Sequence, residues 1–395
     1  MKPTLWMKAV VCLAATAATG AIAETAQAAP CANLPGTTYV TGSTAVKPFM
    51  AGLAKALASA SPVTSTIIYK GTGSCTGVDA VFNGTKITGT ASYWDATGTE
   101  QTCDLTTGGD VADVGVSDVF SSSCAGFGAP PADVGDFYGP NQVMSFAVPK
   151  ASSQSLISAE AAYFVFGFGM NGNVTPWNND QFIFQRSASS GTQSMLAAAI
   201  TVPPAKWKGV SQSSSGNMLT AIASSAQPEA TIGILAADVA DANRDKVKVL
   251  AYQHFKQDCA WLPDSSSTSF DKLNVRDGHY PLWGPLHFFA KVDANKDPVK
   301  TDAKNLIGYF TGKVATPANV NLLDLEIKAY TVPECAMKVK RTSELGAVAS
   351  FTPAEPCGCY FDKTANGSTS CMACTKDADC TGSSKHCRYG YCEAN

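Results

Sequence analysis

The sequence predicts an α/β fold with largely parallel sheets, followed by a small disulfide-stapled module. Three observations carry this reading. Short apolar, strand-like runs alternate with helical patterns through the body of the chain. Hydrophobic residues make up 45% of the 395 residues, which is enough to bury a core and excludes a disordered chain. Half of the 14 cysteines crowd between Cys357 and Cys392, where little else could form a core. At roughly 150 residues per domain the length suggests two to three domains.

The first element is a targeting segment, residues 1–28. Lys2 and Lys8 flank the start of an apolar run from Ala9 to Ala23. Ala21-Ile22-Ala23 and Ala26-Gln27-Ala28 are both small-x-small cleavage sites. The run is shorter than the roughly 20 apolar residues a membrane span needs, and no later run approaches that length. Pro30 before Cys31 is a poor lipid-attachment context, so no lipid anchor is expected. The mature protein is therefore expected outside the cytoplasm, in the periplasm or at the cell surface, where disulfides persist. Removal of Cys12 with the signal leaves an odd number of cysteines, so one thiol is free or bonded to another chain.

In the body, strands are expected at 38–41, 65–69, 111–116, 142–148, 182–185, 231–235, 247–252 and 286–291. Helices are expected at 46–58, 77–82, 158–167, 193–200, 218–225 and 303–310. Tyr163, Phe164, Phe166 and Phe168 lie on one of these helices and read as core. The stretch 86–110 interrupts the alternation. It is polar, rich in Thr and Gly, contains Tyr93, Trp94 and Cys103, and reads as a hairpin or excursion. Phe351-Thr-Pro-Ala-Glu-Pro356 reads as a linker. Beyond it, Cys371-Met-Ala-Cys374 also has zinc-ligand spacing, but an oxidising compartment favours disulfides.

Composition narrows the function. Charged residues are 15%, against roughly 25% in average soluble proteins. The net charge of −3 lacks the basic excess of a nucleic-acid binder, so no nucleic-acid partner is expected. Four histidines leave little room for His-based catalysis or a His-rich metal site. No Walker or Gly-x-Ser-x-Gly motif is present, and no Gly-x-Gly-x-x-Gly is followed by an acidic residue after a suitable helix, so neither an enzyme nor a cofactor is expected.

Three strand-to-helix loops share one chemistry. They are Thr41-Gly-Ser-Thr-Ala-Val46, Gly71-Thr-Gly-Ser-Cys-Thr-Gly77 and Arg186-Ser-Ala-Ser-Ser-Gly-Thr192. A helix N-terminus offers unpaired N–H groups and the positive end of the macrodipole. Glycine lets an anion approach, hydroxyls add donors, and Arg186 supplies a planar fork for a tetrahedral oxyanion. A fourth element, Ala112-Asp-Val-Gly-Val-Ser-Asp118, reads as a buried strand ending in a carboxylate. A carboxylate beside an anion makes sense if the ligand carries a proton to donate. Asp118 would then accept from HPO₄²⁻ or H₂PO₄⁻ and reject fully ionised sulfate.

These motifs, in this order, with Gly216-Asn217 and Ile232-Gly-Ile234 after them, resemble the periplasmic phosphate-binding proteins of ABC transporters over roughly residues 37–315. The resemblance implies a two-lobed, type II periplasmic-binding-protein fold, inorganic phosphate dehydrated in the cleft, and a membrane permease as partner. By position it implies that Ser74 donates its hydroxyl and N–H, that Asp118 accepts the phosphate proton, and that Arg186 pairs with both phosphate and Asp118. Ser190, Gly191 and Thr192 would supply helix-terminus donors. In the first loop Ala45-Val46 falls on the family's Thr-apolar pair, with Thr44 one residue early. Ala188 stands where the family often has an acidic residue. The insertion and the Cys-rich tail are foreign to the family, and the tail resembles extracellular Cys-rich modules with a surface partner of unknown kind.

The resulting division is a signal over 1–28, one lobe over 31–145 plus 288–350, a second over 146–287, and an autonomous Cys-rich module over 352–395. Crossing strands between the lobes are expected near 145–148 and 285–289. The alternative function is a surface or secreted interaction protein that keeps the fold without an uptake role.

Overall fold

In the computed structural model residues 28–59, 63 and 65–394 are described. The expected signal falls almost wholly outside them. The chain opens with β1 (Thr37–Gly42), α1 (Lys47–Ala58), β2 (Thr66–Gly71) and α2 (Ser74–Phe82). In α1, Pro48 stands at the first turn, where a missing N–H costs nothing, and Phe49, Met50, Leu53, Ala54 and Leu57 recur at helical spacing on the buried face. The insertion folds as a hairpin of β3 (Thr90–Trp94) and β4 (Glu100–Asp104), paired antiparallel in register. Cys31–Cys103 ties it to the start of the body.

Next come β5 (Val114–Ser117) and β6 (Val134–Pro149). The following segment contains β7 (Leu156–Ser158), α3 (Ala159–Phe168), β8 (Phe184–Arg186), α4 (Gly191–Ala199), β9 (Val210–Gln212) and α5 (Ser215–Ala223). It continues through β10 (Gly233–Ala236), α6 (Ala237–Asp241), β11 (Val247–Val249), β12 (Ala251–Gln253) and α7 (Leu273–Arg276). The chain then returns through β13 (Trp283–Lys291), and α8 (Thr301–Phe310) and α9 (Leu322–Lys328) follow.

The main sheet has the order β10-β6-β13-β5-β1-β2-β3-β4, with β11 also on β6. Its centre is β6, whose residues 134–143 pair with β13 and whose residues 144–149 pair with β10 and β11. One strand thus pairs with different partners along its two halves, and β13 runs antiparallel beside the first half. One apolar cluster gathers around Phe49, Leu53, Ile67, Val114, Leu286 and Leu306. A larger one gathers around Phe146, Phe166, Met195, Leu196, Ile222 and Ile234.

Several expectations are corrected. The sheet is mixed rather than largely parallel: β1 pairs parallel with β2 and β5, whereas β13, β6, β10, β11, β3 and β4 all pair antiparallel. Buried strands read as apolar runs whichever way they point, so composition did not encode their direction. Helices α2, α4 and α5 begin two or three residues before the expected starts. They open on Ser74, Gly191 and Ser215 with small or polar first turns, and apolar periodicity starts only above them. The expected strand 247–252 divides into β11 and β12. Of the four aromatics on α3, Phe166 is buried and Tyr163 partly so, but Phe164 and Phe168 are 45% and 43% exposed. At 3.6 residues per turn 163 and 166 share one face, and 164 and 168 share another.

The tail comprises α10 (Gly358–Asn366) and a hairpin of β16 (His386–Arg388) and β17 (Tyr391–Glu393), after a small hairpin of β14 (Val339–Lys340) and β15 (Ala349–Ser350). Cys359–Cys371, Cys374–Cys387 and Cys380–Cys392 staple it. Cys371 and Cys374 therefore belong to different disulfides rather than to a zinc site. The tail is not autonomous. Cys335 of the body is bonded to Cys357, Phe361 is buried, and Arg276 pairs with Asp362 at 2.6 Å. The last body disulfide is Cys75–Cys124, and Cys259 is the free, exposed thiol among the described residues.

Candidate anion-binding site

The first loop leaves β1 at Gly42, which has φ +139°, and a Cβ there would lie 1.9 Å from the Val116 carbonyl oxygen. Only glycine permits this approach, which brings the loop against the end of β5. Ser43, the next residue, donates its N–H to Val116 O at 3.0 Å. The buried Tyr69 hydroxyl donates to the Ser43 carbonyl. The loop is thereby fixed from both sides.

Asp118 follows the fully buried β5 and is itself 2% exposed. Its Oδ2 accepts from Ser43 Oγ at 2.7 Å and from Ser74 Oγ at 3.1 Å, and its N–H donates to Ser74 Oγ at 3.2 Å. Its Oδ1 is buried and has no hydrogen-bond partner. Burial raises the Asp118 pKa, while the two serine hydroxyls, Arg186 and His287 pull against that shift. A second buried carboxyl, Asp238 at the start of α6, accepts from Gln142 Nε2 at 2.9 Å. Burial and then the Asp118 charge hold its pKa well above the usual range.

The opposite wall comes from α4 and α5. Ser190 caps α4 by accepting from the Gln193 N–H. A Cβ on Gly191 would lie 2.3 Å from Ser74 Oγ and 2.8 Å from Asp118 Oδ2, so the helix terminus rests directly on the carboxylate. Cys75 N–H donates to Ser189 O at 3.0 Å, bringing the N-termini of α2 and α4 together. Thr192 is buried in the first turn of α4.

Arg186 ends β8 and is 3% exposed. Its Nε donates to Gln212 O at 3.0 Å, Nη1 to Ser215 Oγ at 3.1 Å, and Nη2 to Thr44 Oγ1 at 3.2 Å and Ser213 O at 3.4 Å. Burial lowers its pKa and the Asp118 charge raises it.

The expected residues thus assemble in two halves. Ser74, Asp118 and Gly191 meet directly, with Ser190 and Thr192 behind them, and Thr44 meets Arg186. The expected pairing of Arg186 with Asp118 is absent from the ion pairs among the described residues. The guanidinium is turned to the α5 loop, whose carbonyls and Ser215 satisfy it. Ala45 donates its N–H to Ser43 Oγ at 3.1 Å, so that donor serves its own loop. Val46 lies in the apolar cluster around α1. Sequence reasoning passed over Ser43, the shortest hydroxyl contact to Asp118, and Ser215. Their positions, one just past a strand and one opening a helix, were the available signal.

No protein-family model matches the chain, and no curated protein matches it. Among solved structures, the chain is similar to a putative phosphate ABC transporter substrate-binding protein from Clostridium perfringens with bound phosphate. The identity is 14%, the match covers 75% of this chain and 99% of that one, and the TM-score is 0.52. Also similar are an ABC-type phosphate transport receptor from Vibrio cholerae (17% identity, 75% and 99% covered, TM-score 0.47) and a possible phosphate-binding protein from Planctomyces limnophilus (14%, 76% and 94%, 0.44). The first of these matches establishes the fold: a two-lobed α/β, type II periplasmic-binding-protein fold, here with a disulfide-rich cluster at its C-terminus.

Proposed function

We propose that the chain is an exported binding protein that captures phosphate, or a similar tetrahedral oxyanion, between its lobes. The observation that carries this is Asp118. Two hydroxyls hold one carboxylate oxygen, the other is buried without a donor, and the N-terminus of α4 rests against it. A protonated oxyanion supplies the missing donor, and helix-terminus N–H groups with Arg186 supply the positive charge. The similar substrate-binding protein from Clostridium perfringens, which has bound phosphate, supports the same reading. Six disulfides fit an oxidising compartment, and no described helix is long and apolar enough to cross a membrane. A permease is the partner if uptake is the role.

Calorimetric titration with phosphate, arsenate, sulfate and a phosphonate tests the reading. Phosphate and arsenate should bind and sulfate should be rejected; binding of none of the four would overturn it. The second reading, a surface interaction protein, is favoured by one feature, the tail bonded to the body through Cys335–Cys357. In that case the tail, not a permease-facing surface, carries the partner.

A further inference from the structure

Ser43 meets Asp118 in a geometry that leaves its hydroxyl one choice. The residue is 1% exposed. Its Oγ accepts from the Ala45 N–H at 3.1 Å and donates to Asp118 Oδ2 at 2.7 Å. A hydroxyl has one proton to give, so this one is spent on the carboxylate and none remains for a ligand. The backbone holds that aim: Ser43 N–H donates to Val116 O, and the Ser43 carbonyl accepts from the Tyr69 hydroxyl. We propose that Ser43 sets the anion selectivity of the site through Asp118, by keeping the carboxylate ionised and its Oδ1 an acceptor. The inference rests on the phosphate reading and names a specificity-determining residue for it.

Asp118 needs such a partner. A buried carboxylate is costly unless charges or hydrogen bonds favour its charged form. Arg186 is no direct partner, because its donors go to Gln212 O, Ser215 Oγ, Thr44 Oγ1 and Ser213 O. The carboxylate instead accepts from two serines, and Ser43 is the closer, at 2.7 Å against 3.1 Å for Ser74. Ser74 Oγ also takes the Asp118 N–H at 3.2 Å. Burial raises the Asp118 pKa, and among the groups that oppose it Ser43 comes first, then Ser74, then the charges of Arg186 and His287. Asp238, Glu344 and Tyr69 also lie within the field of Asp118.

Selection then turns on which atom bears the proton. With Asp118 ionised, Oδ1, buried and without a donor, offers only lone pairs. An oxyanion that carries a proton, such as HPO₄²⁻, donates to it, whereas sulfate meets it acceptor to acceptor. With Asp118 protonated at Oδ1 by solvent, the same atom becomes a donor and sulfate is accepted. Hydrogen bonds to the charged form favour that form, and the Ser43 bond is one of them. Without it Asp118 takes a proton more readily and sulfate gains in proportion. A hydrogen bond to a charged group is worth about a factor of ten or more in that equilibrium. Phosphate has both donors and acceptors, so it adapts to either form.

The test is calorimetry of the full chain at pH 7, with phosphate titrated directly and sulfate by competition against it. It is run on the native chain, Ser43→Ala, Asp118→Asn and the double variant. Ser43→Ala should lower the phosphate-to-sulfate affinity ratio at least about tenfold, chiefly through a gain in sulfate affinity. In the Asp118→Asn background, where position 118 has a permanent N–H donor and no carboxylate to protonate, the same change should move the ratio less than about threefold. At one pH the titration of phosphate and of the surrounding groups cancels between variants. A hydroxyl that only holds the loop through Ala45 would weaken both anions alike. An unchanged ratio in Ser43→Ala, or loss of both anions, therefore overturns the inference and leaves the phosphate reading standing. An equal shift in both backgrounds overturns Asp118 as the route. No binding of phosphate by the native chain overturns the phosphate reading and this inference with it.

Discussion

At Asp118 and Arg186 the site separates into an acceptor and a cation, and the two should fail differently. Arg186→Ala removes the buried positive charge beside the site and releases the Gln212 and Ser213 carbonyls that it holds, and hydrogen bonds to charged groups are worth about 1.5–3 kcal/mol. Phosphate affinity by calorimetry should fall at least tenfold. Asp118→Asn keeps the shape but exchanges an acceptor for a donor, so phosphate should weaken less and sulfate should gain. An unchanged phosphate-to-sulfate ratio in Asp118→Asn would remove the proton-acceptor role. A third carboxyl acts from behind. Glu344, between β14 and β15, accepts from the Phe120 N–H at 3.2 Å and from Ser123 Oγ at 3.4 Å, and its Oε1 is buried without a partner. Burial is the main cause that pushes its pKa from 4.5 to about 7, with Arg341 opposing. A carboxyl raised in the folded state stabilises the protein less as pH rises from the unfolded value to the folded one. The native chain should therefore lose stability between about pH 4.5 and 7 at this position. Glu344→Gln should flatten that loss. Thermal melts at pH 5.5 and 8 should differ by at least about 2 °C less in the variant than in the native chain.

At the scale of elements, the contact of α4 with Asp118 decides whether the walls close. Gly191→Ala puts a methyl 2.3 Å from Ser74 Oγ, with Asp118 Oδ2 at 2.8 Å, and the terminus must back away. Phosphate affinity should fall at least tenfold while the thermal midpoint stays within about 2 °C, because the apolar face of α4 is untouched. A variant that binds normally would show that α4 does not supply the donors. How far the sequence could be read follows the same division. Strand ends, hydroxyl-rich loops and Arg186 were legible because their chemistry is local: small residues where a helix must begin. The length of β6 was not legible. Residues 134–141 read Val-Gly-Asp-Phe-Tyr-Gly-Pro-Asn, and no pattern of alternation marks them as half of a 16-residue strand. The direction of the Arg186 fork was not legible either, since it depends on carbonyls of Gln212 and Ser213, residues whose side chains carry no signal for it. Glu344 is remote in sequence from the loop it supports.

For the whole molecule, the tail matters to stability more than to the site. Every donor and acceptor found around Asp118 and Arg186 comes from the body, so deletion of 352–395 should leave phosphate affinity within about twofold. The same deletion removes buried Phe361, the Arg276–Asp362 pair and the Cys335–Cys357 bond. Burial of one such aromatic contributes about 1.5–3 kcal/mol, and a disulfide typically about 2–4 kcal/mol. The melting temperature should drop by at least about 4 °C. A truncated chain that melts with the full one would mean that the tail merely leans on the body.

The order of the cysteines along the chain has a consequence for how the molecule is made. The bonds form two blocks, one within Cys31–Cys124 and one within Cys335–Cys392, and only the unpaired Cys259 lies between them. In the first block the pairs interlace: Cys31 with Cys103 and Cys75 with Cys124. A chain oxidised in the order in which its thiols emerge would join Cys31 to Cys75 and Cys103 to Cys124, and neither bond is native. The hairpin and the Asp118 loop can therefore reach their places only after β2, α2 and β5 have aligned, or after early bonds have been exchanged. Closure of the N-terminal block thus depends on strand alignment or on thiol exchange, and its bonds can be complete before the tail cysteines appear.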